Sequence, residues 1–148
     1  MVLLGERLRQ DLYRAMKEGD KVRVSTLRLL SATLKNCEIA KGAALEEHEA
    51  MEVVIGATKQ RRETIRLARE YGREDIAQQE ENELAILETY LPEQFDVEEV
   101  RRRIDLLVQE LNITSSKDVG RLMKILMPTL KGRIDGSIVS RLVRERLE

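Results

Sequence analysis

Seven cations crowd the last quarter of this chain: Arg121, Lys124, Lys131, Arg133, Arg141, Arg144 and Arg146, against only Asp135 and Glu145 between residues 121 and 146. Guanidinium and ammonium groups at that density can do one kind of chemistry with no nucleophile, metal or cofactor: they neutralise phosphates. Such contacts to a nucleic-acid backbone release counterions and give affinity without reading base sequence. Gly132 and Gly136 lie inside the cluster, where a missing side chain lets a ligand approach the backbone. A helix starting after Asp135 would also turn its amino-terminal end, which favours anions, toward the same place. The plainer alternative is a solvated basic face with no ligand, and on pattern alone that is the commoner explanation.

A second basic run behaves differently. Lys59, Arg61, Arg62, Arg66 and Arg69 stand with only Glu63 among residues 59–69, but no Lys or Arg occurs from Glu74 to Glu99. Glu74, Asp75, Glu80, Glu81, Glu83 and Glu88 fall on the segment expected to fold back on the first. A basic arm beside an acidic arm is a self-complementary helical hairpin, with exposed pairs worth roughly 0–1 kcal/mol each that mainly set register. That reading is favoured over ligand binding for this run.

Other chemistries lack their parts. His48 is the only histidine. With Glu49 and Glu52 it superficially resembles a zinc-protease helix, but the second histidine is missing, so an ordinary exposed helix position is expected and no metal. Any Cys/His or Ser/His/Asp arrangement would need that same His48. There is no GxxxxGK[ST] phosphate loop and no GxGxxG. Tyr13, Tyr71 and Tyr90 are too scattered for an evident base-stacking platform. The residues describe a binding module more readily than a catalyst, with no cofactor and no catalytic residue to name.

The elements that must hold these groups are helices. Charged residues make up 36% of the chain and aromatic ones 3%, so a core of Leu, Ile, Val and Met is expected in an all-α fold. Net charge is −1, which excludes attraction to nucleic acid by bulk charge and requires a local patch. Leu4, Leu8, Leu12 and Ala15 mark a first helix ending at Gly19. Asp20 caps a second, whose stripe of Val24, Leu27, Leu30, Leu34 and Cys37 is widened by Val22 and Leu29. A third starts near Leu45. Beyond Thr58 its apolar stripe thins, as does that of a fourth running from Glu74 to Pro92, so these two should project as a hairpin. Pro92 is the best boundary. Asp96 with Glu99 reads as a capping box, and Phe95 with Val100 as a hydrophobic staple. Two domains follow: 1–94, about four helices including the hairpin, and 95–148, a small three-helix bundle of ubiquitin-associated-like size. In the second, Asn112 stops one helix, Ser115 caps the next, Pro128 ends or kinks it, and Asp135 caps the last. Cys37 is alone, so no intramolecular disulfide is expected and the thiol suits a reducing compartment. No apolar run approaches the roughly 20 residues of a membrane span. A cytoplasmic protein with no membrane partner is the expectation.

Several blocks resemble the bacterial YqeY family of the GatB/YqeY superfamily, essentially end to end. They include Leu27-Arg28-Leu29-Leu30, Lys59-Gln60-Arg61 and Glu83-x3-Leu87-Glu88-x-Tyr90-Leu91-Pro92-x-Gln94. A further block runs Gly120-x2-Met123-x3-Met127, then Lys131-Gly132-Arg133-x-Asp135-Gly136-x2-Val139-x3-Val143. The resemblance implies four helices joined to a three-helix tail. It also implies kinship with the carboxy-terminal part of the B subunit of the tRNA-dependent amidotransferase, a part that engages tRNA and does no chemistry. On that basis tRNA is the expected partner, with amidotransferase subunits as possible companions. Arg121, Lys124, Lys131, Arg133, Arg141 and Arg144 are the candidate phosphate contacts, and Gly132 and Gly136 the points of backbone approach. A protein-binding adaptor and an auxiliary amidotransferase subunit are the alternatives.

Overall fold

A computed structural model of the chain describes residues 3–148. The all-α expectation holds: there are seven α-helices and one short 3-10 turn, and no strand among the described residues. They are α1 (Leu4–Glu18), α2 (Lys21–Lys41), α3 (Glu47–Glu70), α4 (Glu74–Glu88), α5 (Val97–Glu110), α6 (Val119–Leu130) and α7 (Gly136–Leu147). The chain forms two compact units, residues 1–91 and 92–148, so that Pro92 to Gln94 group with the second. No helix among the described residues is long and apolar enough to cross a membrane.

In the first unit Gly19 closes α1 at a positive φ of 70°, and the Asp20 carboxylate accepts the Arg23 N–H at 3.1 Å to open α2. The start of α1 is capped from afar: the Leu4 N–H donates to both carboxylate oxygens of Glu47, at 3.0 and 3.2 Å. Leu8 of α1, Leu27 and Leu30 of α2, Val54 of α3 and Leu87 of α4 meet in one buried core with Tyr90. On α2 the stripe is narrower than expected. Val22 and Leu29 are exposed, and Thr26 takes the buried position beside Leu27.

Tyr90 is 2% exposed, and its hydroxyl donates to Asp11 Oδ2 at 2.5 Å. The Arg7 guanidinium lies 4.5 Å from its ring centre and donates to the Thr89 carbonyl at 2.8 Å. Burial and the Asp11 carboxylate push the Tyr90 hydroxyl well above the ordinary tyrosine value, so it stays a donor. These contacts explain why α4 ends at Glu88 and not at Pro92. The Thr89, Tyr90 and Leu91 N–H groups each bond three residues back, tightening the last turn so that Tyr90 swings inward. The outer parts of α3 and α4 leave the main core and form a separate small cluster of Ile65, Ala68 and Ala77.

The second unit packs Val100, Ile104 and Val108 of α5 against Leu122, Leu126 and Leu130 of α6 and Val139, Leu142 and Val143 of α7. Asp96 accepts the Glu99 N–H at 2.8 Å, but the Glu99 carboxylate pairs with Arg102 and Arg103. Asn112, at a positive φ of 53°, ends α5. Ser115 caps the 3-10 turn Ser116–Asp118 that leads into α6. Pro128 does not end α6. It sits inside the last turn, where its missing N–H costs the Lys124 carbonyl its helical bond, yet the helix continues far enough to bury Leu130 completely.

Candidate nucleic-acid interface

The cations of the hairpin are spent on the hairpin. Arg61 of α3 reaches Glu80 and Glu83 of α4 through Nη1, at 2.9 and 2.6 Å, with its side chain 14% exposed. Arg62 pairs with Glu88 at 3.4 Å, and Arg69 with Glu74 and Glu81 at 3.4 and 2.5 Å. Arg66 departs from the expected cross-pairing and bonds Glu63 and Glu70 on its own helix, at 2.5 and 3.1 Å. The hydrogen bond from Arg66 holds the Glu63 carboxyl below its ordinary range, and Arg73 does the same for Asp75.

The carboxy-terminal cations are distributed over two helices and the turn between them. Arg121 and Lys124 lie on the exposed side of α6, one turn apart, and Arg141 and Arg144 on the exposed side of α7. Arg141 stands 3.8 Å from Glu145, and Arg146 is drawn to Asp105 of α5 at 2.7 Å. For Arg121, Lys124 and Arg144 no carboxylate comes within ion-pair distance among the described residues.

The Lys131-Gly132-Arg133 turn is occupied with holding the fold. Gly132 adopts φ +77°, a left-handed conformation that costs any other residue. Its carbonyl accepts from Gln94 Nε2 at 2.6 Å, and the Arg133 carbonyl accepts the Phe95 N–H at 2.8 Å. The guanidiniums of Arg103 and Arg133 stand 4.3 and 5.0 Å from the Phe95 ring centre, contacts worth about 0.5–1 kcal/mol where exposed. Lys131 is exposed in the turn and engaged in an interaction of its own.

The expected anion site at the start of α7 is filled by the chain itself. Asp135 Oδ1 accepts both the N–H and the hydroxyl of Ser137, each at 3.0 Å. At Gly136 a Cβ would come 3.4 Å from Met127 Cε, an ordinary contact with the end of a flexible side chain, so the packing of α7 does not demand glycine there.

A second set of cations, not singled out from the sequence, lies on the first two helices. Residues 1–41 carry nine Lys/Arg and five Asp/Glu, and residues 42–95 six and thirteen. Arg9, Arg14, Lys21, Arg28 and Lys35 on α1 and α2 have no carboxylate within ion-pair distance among the described residues, and Lys17 sits 4.8 Å over the Tyr13 ring. A helix-by-helix charge count would have found them. His48 is exposed, with Nδ1 3.3 Å from Glu46. Ligand atoms of Glu46, His48 and Glu49 lie within 4.8 Å of one another, but the Lys41 ammonium already holds Glu49 at 2.5 Å.

The family model described as Yqey-like protein matches residues 5–147. Among curated proteins the chain is similar to Altered inheritance of mitochondria protein 41, mitochondrial, of Kluyveromyces lactis, 35% identical over 88% of this chain and 73% of that protein. The same-named proteins of Eremothecium gossypii and Vanderwaltozyma polyspora are 33% and 31% identical over 72% and 76% of this chain. The matches span 60% and 64% of those two proteins, less than two thirds of their length. These names correct one expectation: relatives named as mitochondrial conflict with a cytoplasmic location, and that assignment is withdrawn.

Proposed function

The chain belongs to the YqeY family, and from that premise we propose that its second unit is a tRNA-binding module that works through backbone phosphates and leaves any chemistry to partners. One observation carries this reading. Arg121, Lys124 and Arg144 are exposed and have no carboxylate partner among the described residues, whereas the basic run on α3 is largely neutralised by its neighbours. Unneutralised cations on rigid helices track phosphates and need no base contact to bind. The resemblance to the tail of the amidotransferase B subunit supplies tRNA as the nucleic acid. Within the candidate set the weight falls on Arg121, Lys124, Arg141 and Arg144. Lys131 and Arg133 contribute charge from a turn that the fold already uses, and Gly132 shapes that turn.

The test is a salt titration of tRNA binding by the full chain. Replacing Arg121, Lys124 and Arg144 with glutamine should flatten the slope of log affinity against log salt by up to about three counterions. Replacing Lys131 and Arg133 together should remove at most about two. An unchanged slope in the triple variant would refute the phosphate-contact reading.

A further inference from the structure

A groove of about 650 Å³ lies between α2 and α3 in the first unit, with Glu80 and Leu87 of α4 in its lining. That volume suits a small molecule, and Leu29, Leu30, Val53 and Ala57 make the lining mainly apolar. Three independent details set this groove apart from a packing defect.

The first is Gly56, which lines the groove from the interior of α3. Glycine there weakens a helix relative to alanine. A Cβ built at Gly56 would meet nothing within 4 Å, so the fold does not demand the missing side chain, and the groove is what it enlarges. The second is Thr26, 2% exposed, whose hydroxyl has no partner. Its neighbours behave normally: Ser25 and Thr33 donate to the Val22 and Leu29 carbonyls at 3.1 and 2.9 Å. The third is Arg61. Its Nη1 is bonded to two carboxylates, yet its Nε is buried without a partner. Thr26 Oγ1 and Arg61 Nε are the buried side-chain polar atoms left unpartnered among the described residues, and both residues line this groove. Leaving such groups unbonded is costly, and a ligand that bonds them relieves that cost. Neither atom is open to water as the groove stands, so the wall side chains must adjust as the ligand seats.

The chemistry of the two atoms defines the ligand. Arg61 Nε–H can only donate, so the ligand must bring an acceptor, and the Thr26 hydroxyl can donate as well. Glu80 and Glu83 beside Arg61 leave that end with surplus negative charge, which disfavours an anionic acceptor. We propose that this groove binds a small, mainly apolar molecule bearing one neutral carbonyl, which Arg61 and Thr26 address while its apolar body lies along Leu29 and Gly56.

The experiment uses the full chain, with N-benzylacetamide as the neutral carbonyl probe and phenylacetate as its anionic counterpart. Amide resonances of Leu29, Thr33, Gly56 and Ala57 should shift saturably with the amide and several-fold more weakly with the carboxylate. Cys37, half-buried in the lining and the chain's single cysteine, should react more slowly with N-ethylmaleimide when the amide is bound. Gly56→Leu should abolish these shifts without lowering Tm. If the larger residue does not fold, Gly56→Ala, which adds one methyl group to the groove wall, should weaken the amide measurably. Thr26→Val should raise Tm, by removing an unbonded hydroxyl, and weaken the amide several-fold. The proposal is overturned if the amide gives no saturable shift, if Gly56→Leu binds it as well as the parent chain does, or if phenylacetate binds more tightly.

Discussion

Two dense runs of cations in this chain meet opposite fates. On α3, Arg61, Arg62 and Arg69 each face a carboxylate of α4, so the hairpin consumes its own charge in setting register. On α6 and α7, Arg121, Lys124 and Arg144 look outward with no such mate among the described residues. Both runs carry a clear excess of cations, five against one acid over residues 59–69 and seven against two over residues 121–146. What differs is the element lying alongside: α4 is a helix with no cation at all, whereas α5 contributes Arg101, Arg102 and Arg103 as well as acids. Whether a basic run is neutralised within the fold therefore depends on its neighbour, and counting its charges does not decide it.

Substitutions can break or sharpen that contrast, here ordered by expected effect on stability. Arg61→Ala should cost most, about 2–3 kcal/mol, because it strands Glu80 and Glu83 in a mostly buried spot. Urea unfolding should show the loss while tRNA affinity stays level, and a large loss of affinity would erase the distinction between the runs. Gly132→Val should follow at about 1–2 kcal/mol, since it forces a branched residue to φ +77°. Its mark should be faster amide exchange in the second unit.

Acid comes next. Glu49, Glu63 and Asp75, all in the first unit, have carboxyls held below their ordinary values, foremost by hydrogen bonds from Lys41, Arg66 and Arg73. Lowered folded values mean that this stabilisation is complete above the ordinary carboxylate range and is lost as pH falls through the depressed values. Amide protection at both ends of α3 and at the start of α4 should drop over that interval, and added salt should mimic part of the effect. The smallest change in stability, within about 0.5 kcal/mol, is expected when Arg121, Lys124 and Arg144 all become glutamine, although the salt slope of RNA binding should move most there. If the slope moves only for Arg14, Lys17 and Arg28, the phosphate surface lies on α1 and α2 and the contrast must be redrawn.

Short-range signals carried most of the architecture. Gly19, Asp20, Asp96 and Asp135 mark helix ends because cap and capped N–H lie within a few residues, and the hairpin is readable because opposite charges alternate arms across one turn. The readings that moved depend on distant partners. The end of α4 follows from the bond between Tyr90 and Asp11, and the cap of α1 comes from Glu47. Arg133 reads as a loose cation until Phe95 and Gln94 are seen to hold its turn. The anion site at α7 looked open because a helix start was credited separately from the aspartate that fills it. On α2, Thr26 was overlooked because a threonine inside a leucine stripe looks like a solvent position.

The stitch from Arg7 to the Thr89 carbonyl and from Tyr90 to Asp11 joins residues 82 and 79 positions apart. On a ribosome, α1 is made before α2, α3 and α4, and its last partners arrive only when nearly the whole unit has been made. Leu27 and Leu30 of α2 can cover its apolar side as soon as that helix forms, but the place that receives Tyr90 stays open until α4 has been made, a window in which a chaperone has something to hold. A nascent chain stalled within α4 would thus leave Arg7 and Asp11 of α1 without the partners that close the unit.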